Sequence, residues 1–222
     1  MDFTPSPRSA DLTARVRDFI DSRIDPVEAT ILADVQARRD RGENPWTVHP
    51  LIPELQALAR AQGLWNLFLP AGHEGPDAAR FGTDGGVGLS NVDYAPIAEQ
   101  TGRSSLAPLV FNCNAPDTGN MEVLQKYGSQ EQKDTWLEPL LDGRIRSAFL
   151  MTEPDVASSD ATTMAATARI EGDEVVLDGR KWWSTGVGHP DCAVGIFMGV
   201  TDPQAPKHAR HSMVLVPLDA PG

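Results

Sequence analysis

The sequence is short of cysteine and of positive charge, and it has no long apolar run. Its two cysteines, Cys113 and Cys192, make neither a spaced metal motif nor a disulfide framework, and a 222-residue chain needs no such staple. Both read as buried thiols. With 19 Lys and Arg against 31 Asp and Glu, the formal net charge is -12. A surface that acidic repels phosphate backbones and anionic lipid, so neither nucleic acid nor a membrane is an expected partner. A local anion site stays open, because backbone N–H groups bind phosphate without Lys or Arg. No stretch approaches the roughly 20 apolar residues that span a bilayer. The opening Met1–Leu12 has no apolar h-region, so no secretory leader is expected and a cytoplasmic location is. What is present, 41% hydrophobic and 23% charged residues, is the composition of a packed core rather than of a disordered chain.

The first two thirds read as helical. Leu12, Val16, Phe19 and Ile20 fall on one helix face. Asp25-Pro26-Val27-Glu28 predicts a fresh start, with Asp25 as cap and Pro26 in the first turn, and Ile31, Leu32 and Val35 continue an apolar stripe. The basic run Arg38 to Arg41, ended by Gly42, suits a helix C-terminus. A helix over Pro53–Gln62 turns Leu55, Leu58 and Ala59 inward, with Gly63 beyond its end. Pro70–Gly88 is rich in Gly and Pro and reads as a long loop. Helices are predicted again over Ser90–Thr101 and Asp117–Tyr127, the latter stopped by Gly128. Ser129 and Gln132 form a capping box for the next, whose apolar side is Trp136, Leu137 and Leu140.

Near Arg146 the period changes to two. Ala166–Ile170, Glu174–Leu177, Ala193–Met198 and Ser212–Val216 read as strands, with tight turns at Gly172-Asp173 and Asp178-Gly179. A helical block followed by a strand block predicts an α+β protein of two packing units: an all-α domain over 1–146 and an antiparallel β-domain over 147–222. Four or so strands leave a bare sheet edge, so more sheet is expected to follow and the chain to be part of a larger protein.

Two stretches can carry chemistry. Phe149 to Asp160 joins the blocks and gathers the hydroxyls of Thr152, Ser158 and Ser159 in an irregular loop, where neutral donors can hold pyrophosphate or the edge of a flavin. The plain alternative is a Ser/Thr/Asp loop doing turn work. Lys181-Trp182-Trp183-Ser184-Thr185-Gly186 reads as strand, so alternation places one indole in the sheet's buried face and the other outward. The outward one is a flat wall for an aromatic ring, or else packs between the units.

Taken together, these stretches resemble the flavin-binding signature of the acyl-CoA dehydrogenases. Thr152-Glu153-Pro154 leads to Ser159-Asp160; a short hairpin follows; then Asp178-Gly179-Arg180-Lys181 runs into Trp183 and Thr185. Upstream, Tyr127 to Lys133, Trp136-Leu137 and Pro139 to Leu141 resemble the family's helix pair before the loop. The longer loop Asp155-Val156-Ala157-Ser158-Ser159 and the doubled Trp are similar to a subgroup often fused to phosphotransferase-like domains and given to longer or unusual acyl chains.

The resemblance implies FAD as cofactor and α,β-dehydrogenation of an acyl-CoA thioester, within fatty acid metabolism. It implies that Phe149, Met151 and Thr152 line the flavin ring, that Ser158 or Ser159 contacts FAD phosphate or the CoA portion of the substrate, that Trp183 packs on the ring, and that Ser184 and Thr185 lie beside it. Glu153 fixes the loop by hydrogen bonding. The family's base is a Glu of a C-terminal helical bundle absent from these residues, so no catalytic residue and no metal ligand is assigned, and the 222 residues alone are expected to be inactive. An electron-transfer flavoprotein as electron acceptor and a homodimer or homotetramer are also implied. Acyl-CoA oxidases and flavin monooxygenases share the fold and remain alternatives, as does a non-catalytic flavin-binding subunit.

Overall fold

The computed structural model describes residues 3–69 and 88–222. The chain divides into two compact units, Met1–Gly143 and Arg144–Gly222. The loop predicted over Pro70–Gly88 lies outside the described residues, apart from Gly88.

The first unit is helical: α1 (Pro7–Phe19), α2 (Asp25–Asp40), α3 (Leu51–Ala61), α4 (Asn91–Thr101), α5 (Ala107–Val110), α6 (Asp117–Tyr127), α7 (Gln130–Gln132) and α8 (Glu138–Leu141). Ser6 caps α1, its hydroxyl accepting from Ser9 N at 3.2 Å. Leu12, Val16, Phe19 and Ile20 are buried, as their spacing predicts, and the Phe19 ring meets Phe111 edge-on at 5.4 Å. The predicted restart at Asp25 is not a restart. The helix runs on through a π-turn, Ile20–Ile24, and the Asp25 amide donates to Ile20 O five residues back. Pro26 has no N–H to give to the preceding turn, and the wider π step absorbs that loss without breaking the helix. Asp25 is therefore helical and caps nothing.

Leu32 and Leu58, both expected inside, are exposed; the stripe continues through Ile31, and through Ile52, Leu55 and Ala59. Helix α6 has the predicted bounds, and Ser129 and Gln132 complete the predicted capping box. A buried polar knot closes the unit. The Asn112 amide donates to Asn66 Oδ1 at 2.7 Å and to Leu140 O at 3.0 Å, while Asn66 and Trp65 donate to Leu141 O at 2.9 and 2.8 Å. Both asparagines hold φ of 54°, a left-handed conformation that Asn tolerates better than most residues. The two cysteines are free and half-buried, and burial pushes the Cys113 thiol up to about 11. Among the described residues no helix is long and apolar enough to cross a membrane.

The second unit is one five-stranded sheet: β1 (Arg146–Leu150), β2 (Thr167–Glu171), β3 (Glu174–Asp178), β4 (Cys192–Val200) and β5 (His211–Pro217). The α+β class stands, but the sheet is mixed rather than wholly antiparallel. β1 runs parallel to β4, with Phe149 opposite Ile196, and β2 meets β4 in parallel at Thr167 and Val200; β2–β3 and β4–β5 are antiparallel. Strand direction is decided by which distant segments pair, and the period-two pattern is the same either way. The β2–β3 turn is the predicted Gly172-Asp173, with Gly172 at φ 65°. Ala166, Ala168 and Phe197 form one buried apolar cluster of the unit, with Leu150, Leu177, Val214 and Val216 packed against them.

Candidate flavin-contacting site

The site belongs to the second unit and is built where β1 ends and where the chain leaves β3. Phe149 is the fourth residue of β1 and is half-buried. Met151 is half-buried and Thr152 exposed as the strand gives way to the loop. From β3 the chain passes Gly179, whose φ of 151° and whose approach to Ala166 leave no room for a side chain, since a Cβ there would lie 2.4 Å from Ala166 Cβ. Two residues later Lys181 turns inward.

The two segments are tied side by side. The Trp182 amide donates to Thr152 O at 2.9 Å, and Lys181 Nζ donates to Met151 O at 2.9 Å. Lys181 also donates to Glu153 Oε1 and to Met198 O, each at 2.8 Å. Glu153 completes the knot, with Oε2 accepting from Ala165 N at 2.8 Å and Oε1 from Ala166 N at 3.0 Å. Burial pushes the Glu153 carboxyl up; the hydrogen bond from Lys181 and those from the two amides outweigh it, so its pKa lies below the usual value. The carboxylate of the loop is thus neutralised within the fold.

The hydroxyls separate into inner and outer. Ser158 is buried, and its Oγ accepts from Glu153 N at 2.7 Å and donates to Val156 O at 3.2 Å. Ser159, its neighbour, is exposed. Asp160 caps a short 3-10 turn, its Oδ1 accepting from Thr162 N at 3.0 Å and Thr162 Oγ1 at 2.6 Å; those bonds hold its carboxyl below the usual range.

The two indoles depart from the strand reading. Residues 181–184 pair with no strand, and Trp183 has φ 54°, which breaks the alternation. Both indoles consequently face out: Trp182 is 43% exposed and Trp183 78%, with ring centroids 5.4 Å apart and planes tilted by 50°. Ser184 is half-buried, and Thr185 is exposed at the start of a turn. Of the expected residues, Thr152 is bonded through its carbonyl to the Trp182 amide and Met151 through its carbonyl to Lys181, Trp183 follows Trp182 in the chain, Ser158 is drawn inward, and Ser159 and Thr185 stay at the surface. Lys181 is what sequence reasoning underrated. Its signals are its place in the signature segment and a cation directly before two aromatics, and neither shows that it points inward.

Residues 6–144 match the family model "Acyl-CoA dehydrogenase, N-terminal domain", and residues 148–222 match "Acyl-CoA dehydrogenase, middle domain". The chain belongs to the acyl-CoA dehydrogenase family. It is 47% identical over 221 residues to acyl-CoA dehydrogenase family member 11 of Gallus gallus, covering 99% of this chain and 26% of that protein. A solved structure from Mycobacterium abscessus, assigned by name to the acyl-CoA dehydrogenases, is 62% identical with a TM-score of 0.88, covering 99% of this chain and 52% of that one. A glutaryl-CoA dehydrogenase of Mycobacterium smegmatis in complex with FADH2 is 26% identical with a TM-score of 0.67, covering 98% and 47%. The chain therefore spans about a fifth to a half of the acyl-CoA dehydrogenases it matches. Among the described residues no group of His, Cys, Asp or Glu is placed to hold a metal ion.

Proposed function

We propose that Phe149, Met151, Thr152, Ser159, Trp183, Ser184 and Thr185 form the FAD-contacting face of an acyl-CoA dehydrogenase. One observation carries this reading: Trp183, a bulky residue in a left-handed conformation, stands 78% exposed beside a second indole. Such a conformation is uncommon for a non-glycine residue, and strained residues of this kind cluster at ligand sites. Two adjacent exposed indoles form an apolar patch, and a flat aromatic ligand would cover it.

The residues fit a flavin in charge as well as shape. Reduction adds negative charge to the ring, and hydrogen-bond donors stabilise it while carboxylates oppose it. Glu153 is turned inward onto Lys181 and two amides, leaving hydroxyls at the rim. Thr152, Ser184 and Thr185 offer those hydroxyls, and the two indoles keep water from the ring face. Ser158 has its hydroxyl committed to Glu153 and Val156, so the phosphate or CoA contact falls to Ser159.

When bound, FAD supplies the hydride acceptor for α,β-dehydrogenation of an acyl-CoA thioester. The same reading makes an electron-transfer flavoprotein the electron acceptor and a homodimer or homotetramer the assembly. It assigns this chain binding and orientation, and places the base outside residues 1–222.

Quenching of flavin fluorescence tests the reading, because a stacked indole quenches it. The 222 residues alone are expected to bind FAD weakly or not at all, so the test uses the complete protein that contains them: its bound flavin is expected to show quenching that Trp183→Ala removes and Trp182→Ala largely keeps. Equal loss in both variants, or quenching unaltered by Trp183→Ala, would overturn it.

A further inference from the structure

Lysine is almost never fully buried unless paired, yet the Lys181 side chain is only 8% exposed. Its ammonium has three donors, and all three are used, on Met151 O, Glu153 Oε1 and Met198 O. The three acceptors come from the end of β1, from the loop after it and from β4. Phe197 lies beneath, its ring centroid 4.9 Å from the ammonium. Lys181 is thus a three-way tie between separate stretches of backbone.

The residues that follow have little else to hold them. Trp182 is tied through its amide to Thr152 O, and Trp183 takes the left-handed turn. Trp183 is 78% exposed, so packing around that ring contributes little to its orientation, while Trp182 is more than half covered. What sets the Trp183 ring is the backbone it stands on, and that backbone is tied at the Lys181 ammonium and at the Trp182 amide.

We propose that Lys181 is the positioning residue of the Trp182–Trp183 ridge: its ammonium, held on three acceptors, fixes the mutual orientation of the two indoles. The inference concerns the ridge itself, and rests on the flavin reading only for its consequence for FAD. A merely structural ion pair with Glu153 predicts that any cation at position 181 suffices. Positioning requires three donors diverging from one point, which the planar fork of arginine does not offer.

The readout is circular dichroism in the indole band, without FAD. Two indoles this close and tilted couple excitonically, and Trp183→Phe assigns the couplet by removing it. In Lys181→Met, the chain is expected to melt cooperatively while losing more than about half of the couplet, and the complete protein that contains it is expected to lose about tenfold in FAD affinity. Lys181→Arg is expected to lose the couplet as well. A full couplet in folded Lys181→Met or in Lys181→Arg would overturn the proposal. Should Lys181→Met fail to fold because Glu153 is stranded, the double variant Lys181→Met/Glu153→Gln removes the buried charge and is read in the same way. A lost couplet with unaltered FAD affinity would uphold Lys181 as the positioning residue and overturn the flavin reading of the ridge.

Discussion

The amide of Trp182 donates to the carbonyl of Thr152 at 2.9 Å, so two segments thirty residues apart in sequence share one hydrogen bond. That bond puts the end of β1 beside the exit from β3, and the hydroxyl-rich loop beside the indole ridge. It has the following consequences for experiment.

Trp183→Gly separates stability from binding. Glycine adopts a φ of 54° without the steric cost a Cβ brings there. The substitution is expected to raise the stability of the chain by up to about 1 kcal/mol, since the lost indole is mostly exposed and leaves no cavity. FAD affinity is expected to fall together with that gain. A denaturant melt and a fluorescence titration on the same sample check both signs; a stability loss above about 1 kcal/mol would show that the indole packs on the fold.

Ser158→Ala and Ser159→Ala are expected to act oppositely. Removing the Ser158 hydroxyl leaves the buried Glu153 amide without its acceptor, at a cost of about 1–3 kcal/mol. Ser159 is exposed, and its loss is expected to change stability by less than about 0.5 kcal/mol while weakening FAD or CoA binding. Thermal melts with binding titrations decide it; the reverse assignment follows if Ser158→Ala alone weakens binding.

Acid is expected to loosen the loop. The folded pKa of Glu153 is depressed below its unfolded value, for which 4.5 is the reference. The stability it contributes is therefore fully present above that value and lost as pH falls through the lower, folded one. Glu153→Gln carries no titrating group, so its melting temperature is expected to fall less steeply below about pH 5 than that of the unsubstituted chain. Parallel slopes for the two proteins would show that other carboxylates govern acid unfolding.

In the helical unit, Asn112→Ala is expected to cost about 2–4 kcal/mol. It removes the donor to Asn66 Oδ1 and Leu140 O in a buried setting, and it places alanine at a φ of 54°. Asn112→Gly keeps the conformation available and loses only the bonds, so it is expected to be the milder variant. Chemical denaturation of the pair gives the difference directly.

Much of the fold was legible because it is local. The bounds of α6, the capping box at Ser129 and Gln132, the Gly172-Asp173 turn and four of the strands follow from residues near one another in the chain. What misled was equally specific. Leu32 and Leu58 have the right spacing for burial, but both stand exposed. Pro26 looked like a helix start, because a π-turn leaves no mark distinct from a cap followed by proline. The Trp pair was read by strand alternation, which one left-handed residue cancels.

By itself the sequence determined the helical and strand blocks, the family, and the hydroxyls and indoles from which a flavin face can be made, since these depend on residue types at short spacing. Only the tertiary structure decided which hydroxyl turns inward, that both indoles face out, and that Lys181 ties the segments together. Those outcomes depend on acceptors brought from β1, its loop and β4, up to thirty residues away, and no short-range pattern encodes where such partners meet.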